Sequence, residues 1–282
     1  MRLVDSHCHL QADRFAGDVD LVVGGARLAG VERILVPGWD RASGEGALEL
    51  AGRFGWLDAA VGVHPHEAAR VDDAAWAWFV DAAADERVVA IGETGLDFDR
   101  LFSPVEAQLA NLRRNLRLAL ATGKPAILHC RSAAGRRDAQ DALVAELRTA
   151  GFDGPPARAV FGDRPPAIVH SYSGPVDYAA AVAAMGLAVS FGGLVFRAGE
   201  EASADAAVLV PGDRLLIETD APFLAPPGAP RRRNEPEFVA ITASWLAEAR
   251  GEDGAGLGDR LVANYDAILP RPRLRAGPPG SA

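Results

Sequence analysis

Eight times along this chain a short apolar run rich in β-formers gives way to a longer Ala/Leu-rich stretch with helical spacing. The runs fall at 3–5, 33–36, 59–63, 88–92, 125–128, 167–169, 188–191 and 215–218. The stretches between and after them fall at 18–30, 41–55, 72–85, 103–123, 135–150, 175–186, 200–210 and 235–250. Asp72, Ser103 and Pro104 read as helix starts, since Asp and Ser accept from the free N–H groups of a first turn and Pro fits within it. A strand followed each time by a helix requires parallel neighbours, because a parallel pair needs a long crossover. Continuous apolar runs such as Ile127-Leu128 and Ile168-Val169 suit strands covered on both faces. Eight such units in about 270 residues give the expected fold: an α/β chain, a (β/α)8 TIM barrel, with one domain over 1–269. An open doubly wound sheet is the other arrangement. The chain has no G-x-G-x-x-G after the first strand and no P-loop, so that sheet's commonest nucleotide-binding versions are absent. The Gly/Pro-rich stretch 152–166 is expected to be an inserted loop, over the barrel mouth or beneath it, and 270–282 a disordered tail.

The placement of the histidines is the second constraint. They stand at 7, 9, 64, 66, 129 and 170. On the strand map His7 and His9 follow the first strand, His64 and His66 the third, Glu93 the fourth, His129 the fifth, His170 the sixth and Asp220 the eighth. In a barrel all strand C-termini open on one face, where catalytic groups collect. His-x-His near a strand directs both imidazoles to one side, because side chains alternate with period two. Imidazole and carboxylate together bind first-row divalent metals, and a carboxylate can bridge two ions where a His cannot. Glu93 is the expected bridge. A single His at a strand end is ordinarily structural; six strand ends furnished in this way predict a metal centre. Cys8 and Cys130 each neighbour a candidate ligand, but alternation turns them away from it, so they read as small buried apolar residues.

Charge narrows the class of partner. With 29 Lys+Arg against 38 Asp+Glu the formal net charge is −9. That excludes a protein that coats nucleic acid by bulk attraction, although not an enzyme that touches it locally. Two cysteines make no disulfide framework, so a reducing cytoplasm is expected. The opening Met-Arg-Leu-Val-Asp-Ser-His is polar by residue 5, which is not a signal peptide. No apolar run approaches the ~20 residues of a membrane helix. Neither a membrane nor an obligate protein partner is expected.

Asp-Ser-His-Cys-His-Leu (5–10), Gly-Val-His-Pro-His (62–66), Gly-Glu-Thr-Gly-Leu-Asp (92–97), Leu-His-Cys-Arg (128–131), His-Ser-Tyr-Ser-Gly (170–174) and Glu-Thr-Asp-Ala-Pro-Phe-Leu-Ala-Pro (218–226) occur in order at these strand ends. Together they resemble the TatD family of metal-dependent hydrolases, from about residue 3 to 269. Arg-Arg-Asn-Glu-Pro (232–236) resembles a further family signature, and Asn264 sits where the final helix of the family carries an Asn. The resemblance implies a distorted TIM barrel of the amidohydrolase superfamily. It implies one metal at His7, His9, Glu93 and Asp220, and a second at Glu93, His129 and His170. It also implies a deoxyribonuclease, often a 3′→5′ exonuclease, using two divalent ions, Mg²⁺ or Mn²⁺ before Zn²⁺. Some superfamily members bridge their metals with a carboxylated lysine. The sole lysine here, Lys124, precedes the fifth strand and should lie at the far end of the barrel. Ser-Tyr-Ser-Gly after His170 departs from the more usual Cys-Phe-Ser-Gly.

The expected reaction is hydrolysis of a phosphodiester by a metal-activated water, with Glu93, Asp220 and His64 as the catalytic groups. Asp220 orients or deprotonates the water, and His64 meets the scissile phosphate or the bridging water. His66, Arg131, Arg232 and Asn234 are the expected substrate contacts, with 231–233 as a phosphate clamp. The expected partner is DNA, single-stranded or at 3′ ends. An amidohydrolase-type enzyme acting on an amide, ester or lactone would use the same ligands, and would differ in the loops 39–44, 97–103, 131–137 and 194–200. A non-catalytic scaffold is disfavoured by the complete ligand set.

Overall fold

The computed structural model of the chain describes residues 1–230 and 233–270. Arg231, Arg232 and the expected tail from 271 onward lie outside the described residues. Eight parallel strands, β1 (Leu3–Asp5), β2 (Val31–Pro37), β3 (Leu57–Val61), β4 (Val88–Asp97), β5 (Ala126–Arg131), β6 (Ala167–Val169), β7 (Ala188–Phe191) and β8 (Leu215–Ile217), pair in sequence order. The ring is joined between β8 and β1 by Ser6 N–H to Ile217 O at 2.9 Å, Asp220 N–H to His7 O at 2.8 Å and His9 N–H to Ala221 O at 2.7 Å. The (β/α)8 barrel is therefore the fold.

The helices are α1 (Val19–Leu28), α2 (Arg41–Arg53), α3 (Asp73–Ala82), α4 (Val105–Thr122), α5 (Asp138–Thr149), α6 (Pro155–Phe161), α7 (Val176–Ala184), α8 (Ala202–Leu209), α9 (Val239–Arg250) and α10 (Gly254–Ile268). Local chemistry sets their starts. The Asp40 side chain accepts from Ser43 N–H at 2.8 Å, and the Ser43 hydroxyl in turn accepts from Asp40 N–H at 2.9 Å, a reciprocal cap on α2. Asp72 caps α3 by accepting from Ala75 N–H. Ser103 is not a cap. Its hydroxyl donates to His66 O and accepts from Ala69 N–H, tying the loop after β4 to the turn after β3.

β4 runs five residues past the expected end at 92, and the reason lies in two glycines. Gly92 and Gly95 hold φ of 145° and 142°. A Cβ at Gly92 would meet Ile127 O at 2.7 Å, and one at Gly95 would overlap the His129 carbonyl. Without side chains, β4 presses onto β5 and resumes pairing after a register shift between Ile91 and Thr94. All ten residues of β4 are buried.

Two further differences concern the periphery. The stretch 152–166 contains the short helix α6 and is not a bare loop. It connects α5 to the N-terminal end of β6, and Arg164 donates to Gly123 O at 2.7 Å, just past the end of α4. It therefore lies beneath the barrel, not over the mouth. α10 follows α9 directly. Its glycines at 254, 256 and 258 have low helix propensity and mask the pattern, while Asp253 caps it by accepting from Gly256 N–H. The Asn264 side chain in α10 donates to Gly212 O and Leu215 O, pinning the start of β8.

Candidate metal centre

Five of the eight strands or their C-terminal extensions deliver the candidate ligands to one point, and β3 adds the His64 and His66 pair beside it. Glu93 is the middle of the arrangement, 3% exposed. Its Oε2 lies 3.2 Å from His7 Nε2 and 3.6 Å from His9 Nε2. Its Oε1 lies 2.9 Å from both His129 Nδ1 and His170 Nε2, and 3.2 Å from His64 Nε2. On the Oε2 side Asp220 closes the group, with Oδ1 3.4 Å from His9 Nε2 and 3.9 Å from His7 Nε2. Asp220 reaches this position from a left-handed backbone with φ 54°, a region in which Asp is among the better tolerated residues. The His7 and His170 rings stack 3.8 Å apart at 10°.

Three triads bring one donor atom each to within 4.8 Å of one another: His7, His9 and Asp220; His7, Glu93 and His170; His64, Glu93 and His129. The donor set fits divalent cations. Donors about 2.1 Å from one ion stand about 3.0–3.4 Å apart, and His7 Nε2 and His9 Nε2 face each other at 3.2 Å. Around the same cluster the buried atoms His7 Nδ1 and Glu218 Oε2 have no hydrogen-bond partner. Converging imidazole nitrogens and carboxylate oxygens in a largely buried cluster are costly unless a cation or protons are shared among them.

The electrostatics follow from the same geometry. Burial would raise the Glu93 carboxyl, but His64, His170 and His7 and the bond with His129 hold it well below the usual range. Burial likewise works against Asp220, and the bond with His9 together with the His7 charge keeps it low. Burial lowers His7, with repulsion from His170 adding to it. Burial pushes His64 down to about 4. The two carboxylates are thus held as anions at neutral pH.

Beneath these groups lies a layer that the sequence reading passed over. Asp97 Oδ2 lies 2.7 Å from His66 Nε2 and 3.5 Å from His129 Nε2. Its Oδ1 accepts from the backbone N–H groups of Asp99 and Arg100. Glu218 is wholly buried, with Oε1 3.3 Å from His170 Nδ1. Asp5 accepts from the N–H groups of His7 and Thr219 and from the Thr219 hydroxyl, which ties β1 to β8. Burial raises the Asp5 carboxyl to about 8 against those bonds. The signal for two of these residues was present. Asp97 stands four residues after Glu93 and Glu218 two before Asp220, and even spacing on a strand shares a face.

The remaining expected contacts divide. His66 and Arg131 line the cavity at the mouth, together with Trp39, Arg100, Phe223 and Leu224. Of the four candidate substrate-facing loops, 39–44, 97–103 and 131–137 reach that cavity, and 194–200 does not. Asn234 is not on the wall. It is 1% exposed and donates to Thr219 O at 2.7 Å, bracing the turn that carries Asp220. Arg233 is engaged by Asp18 and Glu235, and Arg232 lies outside the described residues. Lys124 donates to Ala83 O and Asp85 O at the opposite end of the barrel, far from any bridging position. Cys8 and Cys130 are free and buried, and neither joins a candidate metal group.

Fold and site together define a metal-dependent hydrolase on a (β/α)8 barrel. The chain belongs to the TatD-related DNase family, whose model matches residues 4–270. It is 36% identical over 277 residues to a protein of Erwinia billingiae named 3′-5′ ssDNA/RNA exonuclease TatD, covering 96% of this chain and all of that one. It is 36% identical over 248 residues to the metal-dependent hydrolase YabD of Bacillus subtilis, covering 88% of this chain and 91% of that one. The crystal structure of the TatD homologue YjjV from Escherichia coli superimposes with a TM-score of 0.83 at 30% identity, over 96% of this chain and 99% of that one. No helix among the described residues is long and apolar enough to cross a membrane.

Proposed function

We propose that this enzyme is a 3′→5′ exonuclease acting on single-stranded nucleic acid, DNA foremost, with two divalent cations, Mg²⁺ or Mn²⁺ ahead of Zn²⁺. The observation that carries the reading is the division of one carboxylate between two groups of donors, Glu93 Oε2 toward His7 and His9 and Oε1 toward His129 and His170. One ion would be held by His7, His9, Glu93 and Asp220, and a second by Glu93, His129 and His170. Paired cations lower the pKa of a water and clamp the attacking and leaving oxygens of an in-line displacement. Hard oxygen-loving ions suit a centre that includes two carboxylates. The relatives' names supply the substrate class and the polarity. Two buried free thiols accord with a reducing compartment, the cytoplasm.

The chain's own residues have distinct parts in this reading. Asp220 presents Oδ1 to His7 and His9, orients the attacking water and takes its proton on Oδ2. His64 meets the phosphoryl oxygen or the water from the β3 side, and its lowered pKa keeps the ring neutral, with Nε2 directed at the centre. Arg131 stands on the cavity wall and offsets charge on the phosphate. The water oxygen bonds to phosphorus, one ester P–O bond breaks, and the departing alkoxide oxygen takes up the proton that Asp220 received, leaving as a hydroxyl.

The test is release of mononucleotides from end-labelled single-stranded oligonucleotides in Mg²⁺, Mn²⁺ or Zn²⁺, with both product ends analysed. Stepwise shortening from the 3′ end is expected. A folded protein that releases nothing in any of the three metals, or cuts internally, overturns the reading.

A further inference from the structure

The wall of the mouth is divided by chemistry. Over β8, β1 and β2 it is aromatic. Phe223, in the turn after β8, and Trp39, in the loop after β2, stand edge-on to the His9 ring with centroids 5.9 Å and 5.2 Å away. Phe223 is 50% exposed at the cavity rim. Over β4 and β5 the cavity lining carries the cations, and the aromatic on that side, Phe102, stands edge-on to the His66 ring outside the lining, with centroids 4.7 Å apart. Arg100 and Arg131 are the arginines that line the cavity among the described residues, and Arg131 is steadied through its Nε by Asp99 at 2.8 Å. Glu67 also lines the cavity but is paired with Arg70. The candidate metal centre lies between the two arcs, with His9 and Asp220 toward the aromatic side and His129 toward the cationic side.

A Phe left half in water beside a reaction centre is an apolar face without a partner, and a planar π-system is the ligand that such a face takes. Single strands are held by this combination, stacking on aromatic side chains and cations along the backbone. In a strand shortened from one end, the departing nucleotide has a base and no further phosphates beyond it, while the retained side carries all the remaining charge. Resting on the nuclease reading above, we propose that Phe223, together with Trp39, is the seat of the terminal nucleobase, and that the retained strand leaves across Arg100 and Arg131. The cavity, about 340 Å³, is at the small end of ligand pockets. The aromatic seat therefore selects an unpaired end, since a paired terminal base would have to bring its partner strand into the same small cavity. It discriminates weakly among bases, because each has a π-face.

The experiment compares kcat and KM for two single-stranded oligonucleotides that differ only at the 3′ terminus, one ending in an ordinary nucleotide and one in an abasic tetrahydrofuran nucleotide. Wild type, Phe223→Ala, Phe223→Trp and the double variant Arg100→Ala/Arg131→Ala are measured across a salt series. Wild type should lose about ten-fold in kcat/KM on the abasic end, mostly through KM, the scale of one stacked base. Phe223→Ala should lose a similar factor on the ordinary end and almost nothing more on the abasic one, and Phe223→Trp should retain the wild-type preference. The arginine variant should keep the abasic penalty and flatten the slope of log KM against log salt, by about 0.7 for each phosphate it no longer neutralises. A Phe223→Ala enzyme as sensitive to the abasic end as wild type overturns the proposal while leaving the nuclease reading intact. Unchanged salt slopes in the arginine variant overturn the placement of the retained strand. A wild type that releases nothing from either oligonucleotide overturns the nuclease reading itself, and this proposal with it.

Discussion

Asp97 Oδ2 lies 2.7 Å from His66 Nε2, which makes the outermost histidine of the mouth the outer end of a buried carboxylate–imidazole pair. Burial works against the Asp97 anion, but His129 and His66 and the Arg100 N–H hold it far below the usual range. Such partners fix the tautomer and the tilt of the rings they touch.

Asp97→Asn should therefore lower kcat/KM by about ten- to a hundred-fold, the usual cost of losing an orienting partner. The Asn Oδ1 can still accept from Asp99 and Arg100 N–H, so the loop after β4 should stay folded and the Tm should change little. Activity within two-fold of wild type would show that neither His66 nor His129 needs the carboxylate.

Glu93→Gln is the most direct probe of the centre, because the two carboxylate oxygens of Glu93 are divided between both groups of donors. An amide offers one acceptor oxygen and no charge. Losing a single electrostatic stabiliser commonly costs about 10²–10³ in kcat, and losing one shared by two positions should cost at least that. Single-turnover assays in excess enzyme would measure it. Circular dichroism matching wild type would confirm that the fold is intact, and surviving activity would remove Glu93 from the bridging position.

Metal should also be visible in stability. The cluster gathers two carboxylates and several imidazoles in a buried space, and an ion that binds only the folded chain stabilises it by mass action. At a hundred times its Kd one ion contributes about 2.7 kcal/mol, and for a chain of this size each kcal/mol moves Tm by about 2–4 °C. Exhaustive chelation should lower Tm by about 5–10 °C, and Mn²⁺ should restore it. Glu93→Gln should respond much less to either treatment. A Tm indifferent to chelator in wild type would mean that the fold does not depend on bound metal.

Much of this architecture was legible before the fold was known. Alternating strand and helix patterns are local signals, and residues at strand ends need no tertiary knowledge to be placed on one face of a barrel. His7, His9, Glu93, His129, His170 and Asp220 do meet within one cluster. What stayed hidden depended on close backbone contact. Gly92 and Gly95 looked like the end of a strand, so Asp97 fell outside it. Asn234 lies in a motif with arginines and suggested a ligand contact, yet its amide is spent on Thr219 O. The stretch 152–166 is rich in Gly and Pro but places Pro155 at the start of a helix, where its missing N–H does no harm.

The close approach of β4 to β5 makes a last, wholly structural test. At Gly95 the backbone has φ of 142°, and a Cβ would overlap the His129 carbonyl. Gly251, at the end of α9, is left-handed with φ of 61° and ψ of 34°, and nothing stands within 4 Å of where its Cβ would go. Gly251→Ala should cost only the left-handed penalty, about 1–2 kcal/mol, or a fall in Tm of about 2–8 °C. Gly95→Ala adds to that strain a collision with backbone that cannot rotate away, so β4 must lift off β5. His129 and Glu93 sit on those two strands, 2.9 Å apart, so separating the strands should also weaken the metal response. Thermal melts of both variants with and without Mn²⁺ distinguish the effects. Gly95→Ala should melt well below Gly251→Ala and gain less from metal. Equal melting points and equal metal shifts would mean that the tight β4–β5 contact does not hold the centre together.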